Sequence, residues 1–196
     1  MEAIFEGLVK NITKYQTFSE EELAYFTSLF QIREFPKKEI ILKEGEICDF
    51  EGYIVKGCAK GYMHDGKMNE VILTLAIEDW WISDIVSFTQ NKPSRIYLET
   101  LEPTTLLVIR RDQKELLSEK YPRFEKVFRR LMENHLAAYQ DRMFKSIACP
   151  TKMRYIEFMD KHPELLQRVP QHLIASYLGV SPEFLSKVRK EIATQK

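Results

Sequence analysis

The sequence predicts an α+β fold, in which an antiparallel β-roll is followed by a long helix and a C-terminal pair of short helices. Two observations support this prediction. Short β-rich runs separated by turn residues begin near Ile32, and helical periodicity replaces them after Arg111. The β-rich runs are EIILK, GYIVK, CAKGYM, NEVILTLA, RIYLETL and TLLVIR. Short strands at this spacing favour a sandwich or a jelly-roll-like barrel.

The first thirty residues have a helical pattern, and one helix there has a clear start. Ser19 is followed three residues later by Glu22, a capping box in which each side chain bonds the backbone amide of the other residue. Within the β-rich region, Asp65-Gly66 predicts a hairpin turn. The segment NKPS at residues 91–94 cannot continue a strand ladder, because proline has no amide hydrogen to donate.

The longest helix is predicted from Tyr121 to Ile147, about seven turns. Its apolar residues recur at intervals of three or four and form a stripe. Such a stripe can pack on the chain's own roll or on a symmetry-related copy of the helix, and both can hold for different faces. The sequence therefore predicts a homodimer. Its candidate interface residues are Phe128, Leu131, Met132, Leu136, Tyr139 and Met143.

The composition excludes several functional classes. The chain has 196 residues, 44% of them hydrophobic, which suffices for one good core or two modest ones. It has no signal-peptide pattern and no run of about 18 apolar residues, so a cytoplasmic protein without membrane contact is expected. No catalytic residue, metal or cofactor is predicted, because the cysteines and histidines are too scattered for a disulfide framework, a metal site or an iron–sulfur site. These residues are Cys48, Cys58, Cys149, His64, His135, His162 and His172.

Charge is balanced over the whole chain but not along it. The 29 basic residues equal the 29 acidic ones, so any attraction to a polyanion must be local. Residues 150–196 contain eight basic and five acidic residues, a net charge of +3, and the rest of the chain carries −3. This split indicates that the C-terminal part meets an anionic partner.

The last 27 residues contain the most specific motif. A helix over residues 171–178 is followed by Gly179, which suits the positive φ past a helix end, and Ser181 caps a second helix that begins with Pro182. In a helix-turn-helix, the second helix enters the major groove of DNA. The alternative is a plain helical hairpin with a solvated basic face. The candidate DNA-binding residues are Ser181, Glu183, Ser186, Lys187, Arg189 and Lys190.

A β-roll, a long helix and a C-terminal helix-turn-helix, in this order, resemble the Crp/Fnr family of bacterial transcription regulators. The resemblance covers nearly the whole chain and rests on IILKEGEICDFEGYIVKGCAKGYMHDGK, on Tyr121-Pro122 and on IASYLGVSPEFLSKVRKEI. It implies a cyclic-nucleotide-binding-like sensor roll with flanking helices at residues 1–120, a dimerisation helix at 121–149 and a DNA-binding domain at 150–196. The implied partners are double-stranded DNA, a second copy of the chain and RNA polymerase.

Two departures from the family pattern concern DNA reading. Many members have an arginine first in the recognition helix, where this chain has Pro182, while Glu183 and Lys187 match the acidic residue and the later basic residue. A different base preference is therefore expected. The β wing that usually follows the recognition helix is not found before Lys196, so fewer contacts to the DNA backbone are expected.

The ligand pocket also departs from the family pattern. Cyclic-nucleotide-binding members have a Gly-Glu pair and an Arg-Ser/Thr-Ala triplet, in which backbone amides and the arginine bind the phosphate and the glutamate binds the ribose hydroxyl. The matching positions here are Ser83-Asp84 and Ser94-Arg95-Ile96. The arginine is one residue off, and a shift of one residue along a strand turns a side chain to the opposite face. Tight binding of cyclic AMP is therefore not expected. The pocket candidates are Ser83, Asp84, Ser94 and Arg95 in the roll, with Tyr139 and Gln140 on the long helix.

The leading interpretation is a homodimeric DNA-binding transcriptional regulator whose roll senses an unidentified small molecule or has lost ligand binding. A ligand-sensing roll that acts through protein partners is an alternative, and it would lack the steep salt dependence of DNA binding. A cupin-like metal enzyme would need several histidines and carboxylates on neighbouring strands, whereas the β region offers only His64.

Overall fold

The computed structural model describes residues 2–194, in the predicted order of helices, β-roll and helices. The N-terminal part contains a 3-10 turn (Ala3–Phe5) and helices α1 (Glu6–Thr13) and α2 (Glu20–Ser28). The strands are β1 (Gln31–Phe35), β2 (Ile40–Leu42), β3 (Phe50–Lys56), β4 (Ala59–His64), β5 (Glu70–Ala76), β6 (Trp81–Ile82), β7 (Tyr97–Thr100) and β8 (Thr104–Arg110), with helix α3 (Ile85–Gln90) between β6 and β7. The later helices are α4 (Arg111–Lys120), α5 (Phe124–Ala148), α6 (Thr151–Lys161), α7 (Pro163–Arg168), α8 (Gln171–Tyr177) and α9 (Pro182–Thr194).

The strands form two antiparallel sheets that face each other. One sheet has the strand order β1-β8-β3-β6, and the other has the order β2-β7-β4-β5. Alternate residues of β3 and β8 point between the sheets, where Ile54, Leu106 and Val108 are buried together with Leu98 of the opposite sheet. The predicted α+β fold with an antiparallel β-roll is confirmed.

The outer face of the β1-β8-β3-β6 sheet packs against the N-terminal helices and the start of α5. Tyr53 and Leu107, which alternate with the inward-facing residues of their strands, share a buried core with Ile12, Phe26 and Phe124. This contact orients the long helix at its N-terminal end.

The outer face of the β2-β7-β4-β5 sheet packs against the C-terminal helices. Tyr62 and Ile72 of this face belong to the same buried core as Tyr155, Ile174 and Leu185. The roll and the helix-turn-helix domain are therefore joined by a continuous apolar core.

One predicted helix start is confirmed, and another lies three residues later than predicted. Ser19 Oγ accepts a hydrogen bond from the Glu22 amide at 3.2 Å, and the Glu22 carboxylate accepts one from the Ser19 amide at 2.7 Å. The long helix begins at Phe124 rather than at Tyr121, because Tyr121 has a φ of −133° and a ψ of 76° and ends α4.

The connection between β4 and β5 differs from a tight Asp-Gly turn. It is a loop over residues 65–69, in which Met68 rather than Gly66 has a positive φ, of 64°. The Asp65 carboxylate accepts hydrogen bonds from two backbone amides of this loop, at 2.8 and 2.9 Å. The aspartate side chain thus organises a longer loop than the dipeptide pattern predicts.

Candidate nucleic-acid interface and β-roll pocket

Helices α8 and α9 form the helix-turn-helix that the sequence predicts. Gly179 has a φ of 69°, and its amide donates to the Ser176 carbonyl at 2.9 Å, so the chain turns directly after α8. Ser181 then caps α9, because its Oγ accepts a hydrogen bond from the Phe184 amide at 3.2 Å. Leu185 is buried in the core that α8 shares, which fixes the orientation of α9.

The side of α9 that faces away from this core is polar. The six residues predicted to contact DNA are all exposed: Ser181, Glu183, Ser186, Lys187, Arg189 and Lys190. Hydrogen bonds from its own backbone amide and from the Ser181 hydroxyl hold the pKa of the Glu183 carboxyl below its usual value. This carboxylate is therefore ionised at neutral pH and can accept a hydrogen bond from a donor such as cytosine N4.

Two residues of α9 depart from this division between a buried apolar side and an exposed polar side. Arg189 lies on the side of α9 that faces α6 and α8, where it lines a cavity of about 350 Å³ together with Gln171 and Ile192. Phe184, which the sequence analysis did not single out, is 48% exposed in the first turn of the helix. Amphipathic periodicity could not have shown that Phe184 is exposed while Leu185 is buried, because the pattern does not show how far the core extends around the helix.

The long helix α5 exposes an apolar stripe over its second half. Phe128 and Leu131 pack against the core beneath the first sheet, so these two face the chain's own roll. The other candidate interface residues are exposed, namely Met132, Leu136, Tyr139 and Met143. The stripe continues through Phe144 and Ile147, which are 61% and 80% exposed. Intervals of four, three and four residues along the stripe are typical of a coiled-coil seam.

Two of the candidate pocket residues, Asp84 and Ser94, are buried and bonded to each other. Ser94 Oγ donates to Asp84 Oδ2 at 2.8 Å. Asp84 Oδ1 accepts hydrogen bonds from the amides of Val86 and Ser87, at 3.1 and 3.2 Å, so this carboxylate caps α3. The Asp84 carboxylate and the Ser94 hydroxyl therefore bond each other and the start of α3, and neither supplies a cation for a phosphate.

The remaining roll candidates do not complete a phosphate site. Ser83 Oγ donates to the Phe50 carbonyl at 2.9 Å and lies 3.4 Å from Cys48 Sγ. Arg95 is exposed, and within residues 2–194 its guanidinium has no hydrogen bond or ion pair. The structure therefore brings Asp84 and Ser94 together and leaves Arg95 at the surface.

The two candidates on the long helix differ in their surroundings. Tyr139 reaches the roll, where its hydroxyl lies 3.3 Å from Thr74 Oγ1 on β5. Gln140 is exposed to solvent. Only Tyr139 is thus placed against the strands of the roll.

Arg142 connects the long helix, the roll and the helix-turn-helix. Its Nη1 donates to the Leu73 carbonyl on β5 at 2.6 Å. Its guanidinium lies 4.8 Å from the ring centre of Tyr139 on α5 and 4.6 Å from that of Tyr177 on α8. Three elements therefore meet at one side chain, which the sequence analysis did not single out.

Two further side chains attach the helix-turn-helix domain to the roll. Arg168 at the end of α7 donates from Nη1 and Nη2 to the two carboxylate oxygens of Glu78, at 2.7 and 3.0 Å, and also pairs with Glu102. Ser176 Oγ on α8 donates to the Glu70 carbonyl at 2.9 Å and accepts a hydrogen bond from an amide of β5 at 3.0 Å. Polar contacts thus connect the C-terminal helices to the roll beside the shared apolar core.

Over the described residues, 2–194, no group of three or more His, Cys, Asp or Glu side chains is placed to hold a metal ion. No helix in this part of the chain is long and apolar enough to cross a membrane.

Comparison with known proteins defines the class of the β-roll. Residues 32–121, which contain nearly all of its strands, match the family model of the cyclic nucleotide-binding domain. The β-roll is therefore similar to a cyclic nucleotide-binding domain, and a C-terminal helix-turn-helix follows it. A search of the curated proteins gave no match.

Solved structures share this arrangement over most of the chain. The c-di-GMP-responsive global regulator CLP of Xanthomonas campestris has a TM-score of 0.72 at 16% identity, covering 90% of this chain and 93% of that one. FixK2 of Bradyrhizobium japonicum also has a TM-score of 0.72 at 16% identity and covers 85% of both chains. The catabolite activator protein of Thermus thermophilus has a TM-score of 0.58 at 18% identity, covering 94% and 87%. The fold is thus that of these proteins, and it is the fold that the resemblance in the sequence implies.

Proposed function

We propose that the protein is a homodimeric, sequence-specific DNA-binding transcriptional regulator. The observation that carries this proposal is the exposed face of α9. Leu185 and Val188 anchor the helix in the domain core, while Glu183, Ser186 and Lys187 are left free of it near the N-terminal end. In a helix-turn-helix, side chains at these positions reach base edges in the major groove.

The exposed half of α5 supports dimerisation. A stripe of large apolar side chains on one helix loses contact with water when a second copy packs against it, and that transfer is favourable. Leu136, Tyr139 and Met143 lie at the centre of the proposed seam. Paired α5 helices give the dimer a two-fold axis, so the two α9 helices are expected to read an inverted repeat with half-sites about one helical turn apart.

The roll is proposed not to bind cyclic AMP tightly. A phosphate needs a bidentate cation or free donors, and Asp84 and Ser94 instead bond each other while Arg95 lies at the surface. The proposal therefore covers a roll that senses another small molecule, or one that has lost ligand binding. A cytoplasmic location and contact with RNA polymerase belong to the same proposal.

Selection of bound sequences from random duplex DNA tests the proposed function. We expect an enriched inverted repeat bound by the dimer. Lys187→Ala should change the preferred base at one position of each half-site by about 1–3 kcal/mol. Lys190→Ala should weaken all sequences alike and lower the salt slope by about one. Lys10→Ala is the matched control, because Lys10 is exposed on α1, which packs on the sheet opposite to the one that the C-terminal helices contact. It should change neither the base preference nor the salt slope.

A module that acts through protein partners is the second candidate function. It is favoured by the modest charge of α9, which has three basic and two acidic residues. Salt separates the two functions, because counterion release makes DNA binding fall steeply with ionic strength. A folded dimer that enriches no inverted repeat would refute DNA reading and favour the protein partner.

A further inference from the structure

Phe184 is an aromatic side chain that α9 leaves exposed beside its polar face. It is 48% exposed, although the apolar residue that follows it, Leu185, is 1% exposed. Within residues 2–194, the Phe184 ring stacks on no other ring and lies beneath no cation. The apolar surface of this ring is therefore available to a partner.

The position of Phe184 is fixed by the start of the helix. Ser181 is the cap and Pro182 is the first helical residue, so Phe184 is the third, and its amide is held by Ser181 Oγ at 3.2 Å. Residues three apart are neighbours on a helix surface, so Phe184 borders the exposed Lys187. The ring thus lies on the flank of the proposed reading face, in the turn that enters a groove first.

The surroundings of the ring favour DNA over an apolar partner. The exposed residues on the adjoining side of the helix include Glu183, Lys187 and Lys190, which suit base edges and phosphates and would be desolvated at cost in an apolar groove. The apolar group that duplex DNA offers in its major groove is the C5 methyl of thymine, and phenylalanine is among the side chains that contact it.

We propose that Phe184 packs on a thymine methyl in each half-site and is a specificity-determining residue of this protein. This inference rests on the proposed function, and it adds a direct apolar contact to the polar contacts that the sequence predicts. A thymine is therefore expected in the enriched half-site at a position that Lys187 does not specify.

Deoxyuridine substitution tests the contact without changing the protein, because uracil differs from thymine only by the missing methyl. Each thymine of the enriched repeat is replaced in turn, in both half-sites, and affinity is measured by fluorescence anisotropy at one salt concentration. A buried methyl group corresponds to about a fourfold change per half-site, so wild-type protein should bind about fifteenfold more weakly when the contacted pair is replaced. Phe184→Ala should bind the thymine site more weakly and show no further loss on uracil.

Two other variants keep the test decisive. Lys190→Ala should weaken binding but retain the full uracil effect, and Phe184→Leu should retain part of it. If no repeat is enriched at all, the proposed function fails and this inference fails with it. If a repeat is enriched but no uracil substitution weakens wild-type binding, or if Phe184→Ala responds to uracil as wild type does, the inference alone is overturned.

Discussion

Replacing Arg168 with alanine removes the ion pairs that connect the helix-turn-helix domain to the roll. The Arg168 side chain is 25% exposed and bonds both oxygens of Glu78 while pairing with Glu102. Alanine would leave two partly buried carboxylates close together without their cation. Exposed ion pairs contribute about 0–1 kcal/mol, and removing one partner of a buried pair costs about 3–5 kcal/mol. Because this cluster lies between the two limits, we expect the free energy of unfolding to fall by about 2 kcal/mol.

Urea denaturation followed by tryptophan fluorescence measures this loss. Trp80 lies at the same contact, with its ring centre 5.4 Å from that of His162. Arg130→Ala is the matched control, since Arg130 forms an exposed ion pair with Glu133 on α5, and it should cost less than about 0.5 kcal/mol. If Arg168→Ala costs no more than Arg130→Ala, the ion pairs do not hold the domain on the roll.

The same contact determines a pH dependence. Burial alone would raise the pKa of the Glu78 carboxyl, but hydrogen bonds from Arg168 and from the Gly57 amide outweigh burial and hold this pKa below its usual value. A carboxyl with a lowered folded-state pKa stabilises the fold above its unfolded pKa, and this contribution is lost as pH falls through the folded value. Wild-type protein should therefore lose more stability than Arg168→Ala between about pH 5 and pH 3. Equal losses would contradict this assignment.

Three other measurements test separate parts of the structure. Leu136→Glu in the exposed stripe should give a monomer in light scattering at about 10 μM, because a dimer would have to bury two carboxylates in the seam. Leu116→Glu on α4 is the control and should leave the dimer intact. A dimeric Leu136→Glu protein would refute the proposed seam. Calorimetry should detect no sub-micromolar binding of cyclic AMP, since Ser94 supplies no cation for the phosphate. Binding of that affinity would show that the match of Ser94 to the arginine position of the family triplet is wrong. Gly57→Ala should lower the free energy of unfolding by about 3 kcal/mol, because Gly57 has a φ of 111° and a Cβ there would stand 2.6 Å from a backbone Cα atom. Gly66→Ala, which meets open space, should change it by less than about 1 kcal/mol, and similar thermal melts for the two variants would contradict the difference.

Features with a local physical cause could be predicted from the sequence. The Ser19 capping box, the Gly179 turn and the Ser181 cap each depend on atoms a few residues apart, so the residue types alone indicate them. Strand β6 could not be predicted in this way. It has two residues, Trp81 and Ile82, and its strand conformation depends on pairing with β3, which is about thirty residues away in the chain.

Contacts between distant residues account for most of what the sequence could not predict. Lys60 is buried on the outer face of its sheet because Glu99 lies opposite it on β7 and pairs with it at 3.3 Å. In the candidate pocket, the role of Asp84 depends on Ser94, which only the folded chain brings within hydrogen-bond distance. Periodicity shows which residues share a face, but it does not show which other element covers that face.

The geometry around Arg142 would link the proposed dimerisation to the orientation of α9. Tyr139 belongs to the exposed stripe of α5 and also lies against the Arg142 guanidinium, whose other ring contact is Tyr177 at the end of α8. Arg142 also donates to a carbonyl of β5. A shift of α5 relative to the roll would therefore lengthen at least one of the three contacts that Arg142 makes. In the proposed dimer, the same tyrosine would be packed between the partner helix and this guanidinium. The spacing of the two α9 helices would therefore depend on the side chains that form the seam, as well as on those that read DNA.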